Sequence, residues 1–265
     1  MRIADNVVLI TGASDGIGAA CARAFRAGGA KLSLCGRSAE KLERVAEPGD
    51  LTTALDLTAS DSAPRLVNRT LERFGRIDIV INNAAMGIYW PVSQSPLAET
   101  RAMFELNVFA ALELLQAALP SMRARNSGLI VNVGSIAGRV ALPWMPLYSA
   151  SKSALDAITE GLRMELAGCG VRTMLVCPGS VLTDFHLHGL GLAPPPQVVA
   201  ANKFAITPEQ CARDILRGVE RDARVVMSPR SGWIFDALHH LMPQAVESIL
   251  IKRMTIKRGQ IAKPI

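Results

Sequence analysis

The sequence predicts a single doubly wound α/β domain: one parallel sheet with helices on both faces and an extra helical tail. Three observations predict it. Strand-like and helix-like stretches alternate along the chain, an order that builds a parallel sheet through right-handed crossovers. The strand-like runs are nearly unbroken in Val, Ile and Leu, as expected where helices cover both faces. The 265 residues, 49% apolar and 20% charged, suffice for one large core.

The elements follow in order. Val7–Ile10 is a first strand, followed by a glycine-rich turn and a helix whose apolar stripe runs from Ile17 to Phe25 and stops at Gly28-Gly29. Lys31–Cys35 is a second strand, and Ser38 is placed to cap a helix over 39–46. Thr52–Leu55 is a third strand, 60–74 a helix, and Ile77–Ile81 a fourth strand. A long helix, Leu97–Leu119, is expected to end near Pro120. Leu129–Val133, a helix over 148–167, Val171–Val176, a helix over 208–220 and short Val225–Met227 complete the body. In the tail, Trp233, Ile234, Phe235, Leu238, Leu241 and Met242 form an apolar helical set. Pro243 interrupts it, and Val246, Ile249, Leu250, Arg253 and Met254 continue.

Composition excludes several classes. The longest uncharged run, Ile79–Ala98, contains Asn82, Asn83, Pro91 and Pro96 and reads as no membrane span. No apolar stretch of signal-peptide length follows Arg2. Cysteines 21, 35, 169, 177 and 211 lack CxxC spacing and read as buried thiols of a reducing, cytoplasmic compartment, not as a metal site. His186 and His188 alone are too few for a metal. Residues 224–265 carry seven basic and two acidic residues, so most of the net charge of +6 sits in the tail. The near-neutral body argues against nucleic-acid binding. Apolar stripes with a cationic end suit an interfacial helix over 231–258 that touches anionic lipid. They equally suit a flap over a cleft, a subunit contact or packing on the body.

Three motifs carry chemistry. Thr11–Gly18 (TGASDGIG) links the first strand to the first helix. Gly12 allows a sharp exit, Gly16 a close backbone approach to a pyrophosphate, and Gly18 tight helix packing, while the helix N-terminus favours the negative charge. Tyr148 and Lys152, four apart, share one helix face. An ammonium there, helped by a positively charged oxidised nicotinamide, is expected to lower the phenol pKa by roughly 2–3 units from ~10. Ser135 follows an apolar strand, where open sheets of this kind place ligands.

TGASDGIG, Asn82–Ala85 (NNAA), the mid-helix Asn107, Gly134–Gly138 (GSIAG), Tyr148–Lys152 (YSASK) and Pro178–Thr183 (PGSVLT) occur in the order found in one family. In these blocks the chain resembles the short-chain dehydrogenase/reductase family, of the Tyr-Lys type with about 250 residues, over roughly 5–230. The resemblance implies a Rossmann-like dinucleotide-binding and catalytic domain over 1–230, with 231–265 as an amphipathic basic helical extension packed on it. It implies Tyr148 as general acid/base, Lys152 as its pKa-lowering partner and ribose ligand, Ser135 as the group orienting the substrate oxygen, and Asn107 as the holder of a proton-relay water. It places the cofactor against Gly12, Ser14, Asp15, Gly16, Ile17, Gly18, Asn82, Asn83, Ala84 and Ala85. Tyr148, Lys152, Pro178, Gly179, Val181 and Thr183 would hold its nicotinamide end. Asp56 and Leu57 would lie near the adenine, with a helix cap as the alternative role of Asp56. Ala85 stands where the family usually has Gly; a positive φ there would require a different loop.

Cofactor choice rests on the end of the second strand. Cys35-Gly36-Arg37-Ser38 has no acid to bind a ribose 2′-hydroxyl, and Arg37 suits a 2′-phosphate, so NADP is expected over NAD although Asp15 sits where many NADP users carry a base. Met86, Ile88, Trp90, Leu142, Trp144 and Met145 surround the expected site. A lid over 184–206 adds Phe185, Leu187, Leu190, Leu192 and Phe204. This lining suits a hydrophobic secondary alcohol and its ketone, or an aldehyde. A non-catalytic NADP(H)-binding regulator and a peripheral membrane enzyme on lipid-like substrates are the alternatives. A homodimer or homotetramer is expected from the family's pairing of helices 97–119 and 148–167.

Overall fold

The computed structural model describes residues 1–187, 189–192 and 205–254, without the side chains of His186, Leu187 and Met254. Seven strands form one parallel sheet: β1 (Val7–Thr11), β2 (Lys31–Gly36), β3 (Leu51–Ala54), β4 (Ile79–Asn82), β6 (Gly128–Val133), β7 (Val171–Pro178) and β9 (Val225–Ser228). Their spatial order is β3-β2-β1-β4-β6-β7-β9. The direction of winding reverses between β1 and β4, which pair through Val8–Ile79, Leu9–Val80 and Ile10–Ile81. A crevice therefore opens beyond the carboxyl ends of these strands, where doubly wound sheets take ligands.

Alternation within each strand feeds two cores. Val8 and Ile10 face one way, with Leu32, Leu34, Ile79 and Ile81, against α1 (Gly16–Ala27), α2 (Ala39–Val45) and α8 (Pro208–Glu220). Leu9, Val80 and Ile130 face the other, against Leu66, Leu114 and Leu162 of α3 (Ser62–Phe74), α5 (Ala110–Ala124) and α7 (Pro146–Glu165). Cys21, Cys35, Cys177 and Cys211 are buried free thiols, as expected, and Cys169 is partly buried.

The long helix departs from expectation. It comprises α4 (Leu97–Phe104), a wider π-type turn at Glu105–Phe109, and α5, which runs through Pro120 to Ala124. Pro120 is exposed, so the carbonyl it leaves unbonded faces solvent and the helix survives. By length and composition this segment could cross a bilayer. Here Met103, Leu114, Leu115 and Met122 are instead buried in the cores.

Elements absent from the sequence reading gather at the crevice. β5 (Ile88–Tyr89) and β8 (Leu190–Gly191) pair in parallel as a separate two-stranded sheet, and α6 (Ile136–Arg139) is one short turn. The tail forms α9 (Gly232–Leu241) and α10 (Pro243–Met254), broken at Pro243 as expected. Arg139 of α6 ties it to the body through hydrogen bonds of 3.2 and 3.3 Å to Asp236. Val246 is buried and Phe235 and Leu250 are half-buried, whereas Trp233, Ile234, Leu238, Leu241, Met242, Ile249 and Ile251 are exposed.

Candidate active site

The glycine-rich turn shows why each glycine is there. Gly12 and Gly16 have φ of +61° and +50°, where a side chain is strained. The first helix packs closely on the turn at Gly18. A Cβ on it would lie 2.1 Å from the Gly12 carbonyl oxygen and 2.7 Å from Asn83 Nδ2, so it closes the turn itself. Asn83 locks this closure, donating from Nδ2 to the carbonyls of Thr11 (2.9 Å) and Gly12 (3.2 Å). Thr11 Oγ1 accepts from the backbone N–H of Asn83 and of Ala84. Asp15 caps α1, its carboxylate accepting from the Gly16 N–H at 2.6 Å.

An open cleft at the N-terminus of α1 is lined by Ser14, Asp15, Gly16, Leu182, Thr183 and Asp184 among others. It brings the first loop against the 178–183 loop; a Cβ on Gly16 would meet Thr183 Cγ2 at 3.0 Å. The later loop is held by Gly179, which donates to Ser228, and by Val181, which bridges to Ile206. Positive-φ glycines, a helix N-terminus and a facing polar loop fit the pyrophosphate of a dinucleotide.

Farther along, a Cβ on Gly36 would lie 3.0 Å from Ser14 Oγ, which places the end of β2 beside the turn. Arg37 is exposed there, and its charge reaches Asp56. The Asp56 carboxylate accepts from the Thr58 N–H and hydroxyl, which hold it below the usual carboxylate range, with Arg37 adding to the effect. That is a local turn; α3 begins later, at Ser62, so Asp56 is not its cap. Ser38 caps α2 as expected, accepting from the Lys41 N–H at 3.2 Å. Leu57 points into the second core.

Two asparagines are held by hydrogen bonds within the fold. Asn82 donates to Asn132, and Asn132 donates to Thr159, a buried polar chain from β4 through β6 to α7. Asn107, placed by the π-type turn, accepts from the Met86 N–H and donates to the Met86 carbonyl, both at 2.9 Å, and to Ser151 Oγ at 3.1 Å. Both of its amide protons are thereby committed, so the side chain clamps the 84–87 loop to α7. Positive φ among the non-glycine described residues is confined to Asp5, Asp61, Asn126, Trp144 and Asp222. Ala85 therefore needs no glycine. Trp144, at φ +69°, is a strained bulky residue on the loop that enters α7.

The reacting groups converge on α7 and the end of β6. Ser135 lies close enough to the Tyr148 hydroxyl to favour its ionised form. Ser135 Oγ also accepts from the Ala137 N–H, which caps α6 and fixes the side chain. Lys152 is 2% exposed, and Nζ donates to the Val133 carbonyl at 2.9 Å while lying 5.9 Å from the Tyr148 ring centroid. The electrostatics of the chain by itself reverse the expected shift. Burial pushes the Tyr148 hydroxyl up to about 12, opposed by the nearby Ser135 and with a further push from the Asp156 charge. Burial pushes Lys152 down to about 8, opposed by Asp156 and Cys177. Desolvation dominates both shifts because both groups are enclosed, and the lysine is turned to a carbonyl.

Around Tyr148 the surface is apolar. Phe185 meets its ring edge-on at 5.7 Å, and Met86, Trp90, Leu142 and Leu190 are partly buried in the same cluster. Ile88 and Tyr89 lie beneath, fully buried, so Ile88 is core and not lining. Trp90 Nε1 donates to Glu99. Leu192 is described; His188 and Phe204 lie outside the described residues, as do the side chains of His186 and Leu187.

A family model for the short chain dehydrogenases matches residues 6–188. The chain belongs to the short-chain dehydrogenase/reductase family. It is 34% identical to a dehydrogenase/reductase SDR family protein 7-like from Anopheles gambiae, over 93% of this chain and 82% of that protein. A short chain dehydrogenase of Burkholderia cenocepacia, solved in complex with NADP, is 31% identical with a TM-score of 0.80, covering 97% of this chain and 100% of that one. A family member from Burkholderia phymatum, solved with NAD, shares the fold at a TM-score of 0.83 and 23% identity, over 97% and 98% of the two chains. This short-chain dehydrogenase/reductase therefore carries its oxidoreductase fold over nearly its whole length.

Proposed function

We propose that the protein is an NADP(H)-dependent oxidoreductase that interconverts a hydrophobic secondary alcohol and its ketone. The observation that carries this reading is the placement of Tyr148 beside Ser135 and buried Lys152 within one apolar cluster. A nicotinamide dinucleotide, when bound, supplies or accepts the hydride. Tyr148 passes a proton to the substrate oxygen in reduction and takes it back in oxidation. Ser135, fixed by Ala137, orients that oxygen and stabilises its developing charge. Lys152, with one proton committed to Val133, has donors left for a ribose hydroxyl. Met86, Trp90, Leu142, Phe185 and Leu190 favour an apolar substituent beside the carbonyl. A panel of ketones of graded apolar size, assayed with NADPH, tests the reading. Turnover should rise with apolar size; cofactor binding without turnover of any ketone would favour a regulator.

The preference for NADP rests on Arg37, exposed at the end of β2 with no acid at the strand end to repel a phosphate. Relatives solved with NADP and with NAD both support a nicotinamide cofactor. Arg37→Ala should cut the ratio of kcat/KM with NADPH to that with NADH by roughly 10–100-fold, the worth of a charge-assisted hydrogen bond. A wild-type preference for NADH, or an unchanged ratio in the variant, contradicts the assignment.

We further propose that α9 and α10 rest on an anionic membrane surface. Leu241 is 80% exposed and Ile234 66%, and the cations Arg230, Lys252 and Arg253 are exposed beside an outward apolar set. Full-length protein should pellet with phosphatidylserine-rich vesicles and less with phosphatidylcholine alone, each nearby cation contributing about 1 kcal/mol. The double variant Ile234→Asp, Leu241→Asp should stay in the supernatant. Failure of the wild type to pellet, or its dimerisation through this face, contradicts the proposal.

A further inference from the structure

Asp156 takes no part in the reaction above, yet it stands beneath it. Tyr148, Lys152 and Asp156 are spaced by four residues and share one face of α7. Asp156 is 6% exposed, and neither carboxyl oxygen has a hydrogen-bond partner among the described residues. Buried carboxylates without partners are costly and uncommon, so this one requires a reason. The carboxyl lies against Gly134, where a Cβ would come within 2.7 Å of Oδ1. Gly134 joins Val133, whose carbonyl receives the Lys152 ammonium, to Ser135, whose hydroxyl meets Tyr148. Asp156 therefore sits under the joint between the two contacts that hold the reacting pair.

Its charged and titratable surroundings come from four elements. Tyr148, Lys152 and Glu160 share α7 with it; Arg139 faces it from α6, Cys177 from β7 and Asp236 from α9. Arg139, held to Asp236 by two hydrogen bonds, is the strongest charge acting on Asp156, followed by Lys152. A carboxylate in this position raises the pKa of Lys152 and that of Tyr148 alike.

We propose that Asp156 is a positioning residue for the Tyr148–Lys152 pair: its carboxylate keeps the ammonium protonated and restrains ionisation of the phenol, and its own protonation moves the pair to a more acidic working range. The proposal rests on Tyr148 acting as the proton donor and acceptor. Burial raises Asp156 to about 7, so the change falls near neutrality. Alcohol oxidation needs the phenolate and the ammonium together, so these two ionisations set the two limbs of kcat/KM. Removing the carboxylate lowers both.

The test is the pH profile of kcat/KM for the wild type and Asp156→Asn, full-length, with NADP and an alcohol that the wild type oxidises. Both limbs should move to lower pH by about half a unit or more, roughly a three-fold change in each ionisation constant. The two profiles should converge below about pH 6, where the wild-type carboxyl is protonated, and separate above about pH 8. Asp236→Asn removes a negative charge that helps to keep Asp156 protonated, and should shift the point of separation to lower pH. Limbs that coincide with the wild type, or a constant loss at every pH, overturn the role of Asp156. Tyr148→Phe measured alongside separates the two claims: full turnover there removes the underlying reading, whereas an inactive Tyr148→Phe with unshifted Asp156→Asn limbs removes only this one.

Discussion

Tyr148→Phe is expected to bind the cofactor as the wild type does and to lose about 10³-fold in kcat/KM. The substitution deletes one oxygen and leaves the ring against Phe185, so packing in the apolar cluster is retained. What disappears is the hydroxyl beside Ser135 that would hand a proton to the substrate oxygen. Positioned general acids and bases contribute roughly 10²–10⁴-fold. Ser135 remains, held by the Ala137 N–H, so orientation of the oxygen survives while proton transfer does not. The loss should appear in kcat more than in KM, and cofactor titration should give an unchanged Kd. Turnover within about three-fold of wild type would contradict the assignment of the proton to this phenol.

Gly18→Ala should be the most damaging small substitution in the nucleotide turn. The added Cβ would stand 2.1 Å from the Gly12 carbonyl oxygen and 2.7 Å from Asn83 Nδ2. Neither neighbour is the free end of a flexible side chain. The first is backbone at a residue with φ +61°, and the second is the amide that bonds the carbonyls of Thr11 and Gly12. The turn must open, breaking the Asn83 closure and moving the N-terminus of α1 off the cleft. A cost of about 2–3 kcal/mol in stability is expected, typical of overpacking a rigid site. Cofactor Kd should rise by at least about ten-fold, since a shifted helix N-terminus no longer meets the phosphates. Gly161→Ala is the control: it lies within α7, a Cβ there meets nothing within 4 Å, and alanine should stabilise it by roughly 0.5–1 kcal/mol. Equal thermal shifts in the two variants would contradict this account of Gly18.

Sequence and structure agree where local physics decides. Strands buried on both faces read as unbroken apolar runs, so Val7–Ile10 and Leu129–Val133 lie within a residue of β1 and β6. The turn at Gly12–Gly18 was legible because strand, glycines and helix were contiguous. Agreement fails where distant segments decide. β5 and β8 are two residues each and meet across about a hundred positions, which no periodicity records. Pro120 reads as a helix end, but an exposed carbonyl partner lets α5 continue. Asn107 reads as a polar insertion in an apolar helix; only the folded chain shows its amide held by Met86 and Ser151. The outward turn of the tail's apolar side is likewise tertiary, since Asp236 facing Arg139 sets the rotation of α9. Asp156 was within reach, because the interval of four that joins Tyr148 to Lys152 extends to it. The sign of the Tyr148 shift was not, because desolvation depends on the surrounding walls and not on spacing.

This enclosed phenol should become more acidic when the site is loaded. The chain contains only two tyrosines, Tyr89 and Tyr148, and burial pushes Tyr89 above the ordinary phenol range. Near-ultraviolet phenolate absorbance, titrated with and without NADP in its oxidised form, reads these two phenols, and Tyr148→Phe isolates the step that belongs to Tyr148. The account predicts a titration near 12 for the protein alone, a fall of at least about 2 units with the oxidised cofactor bound, and loss of that step in Tyr148→Phe. A phenol that titrates at the same pH with and without the cofactor would contradict it.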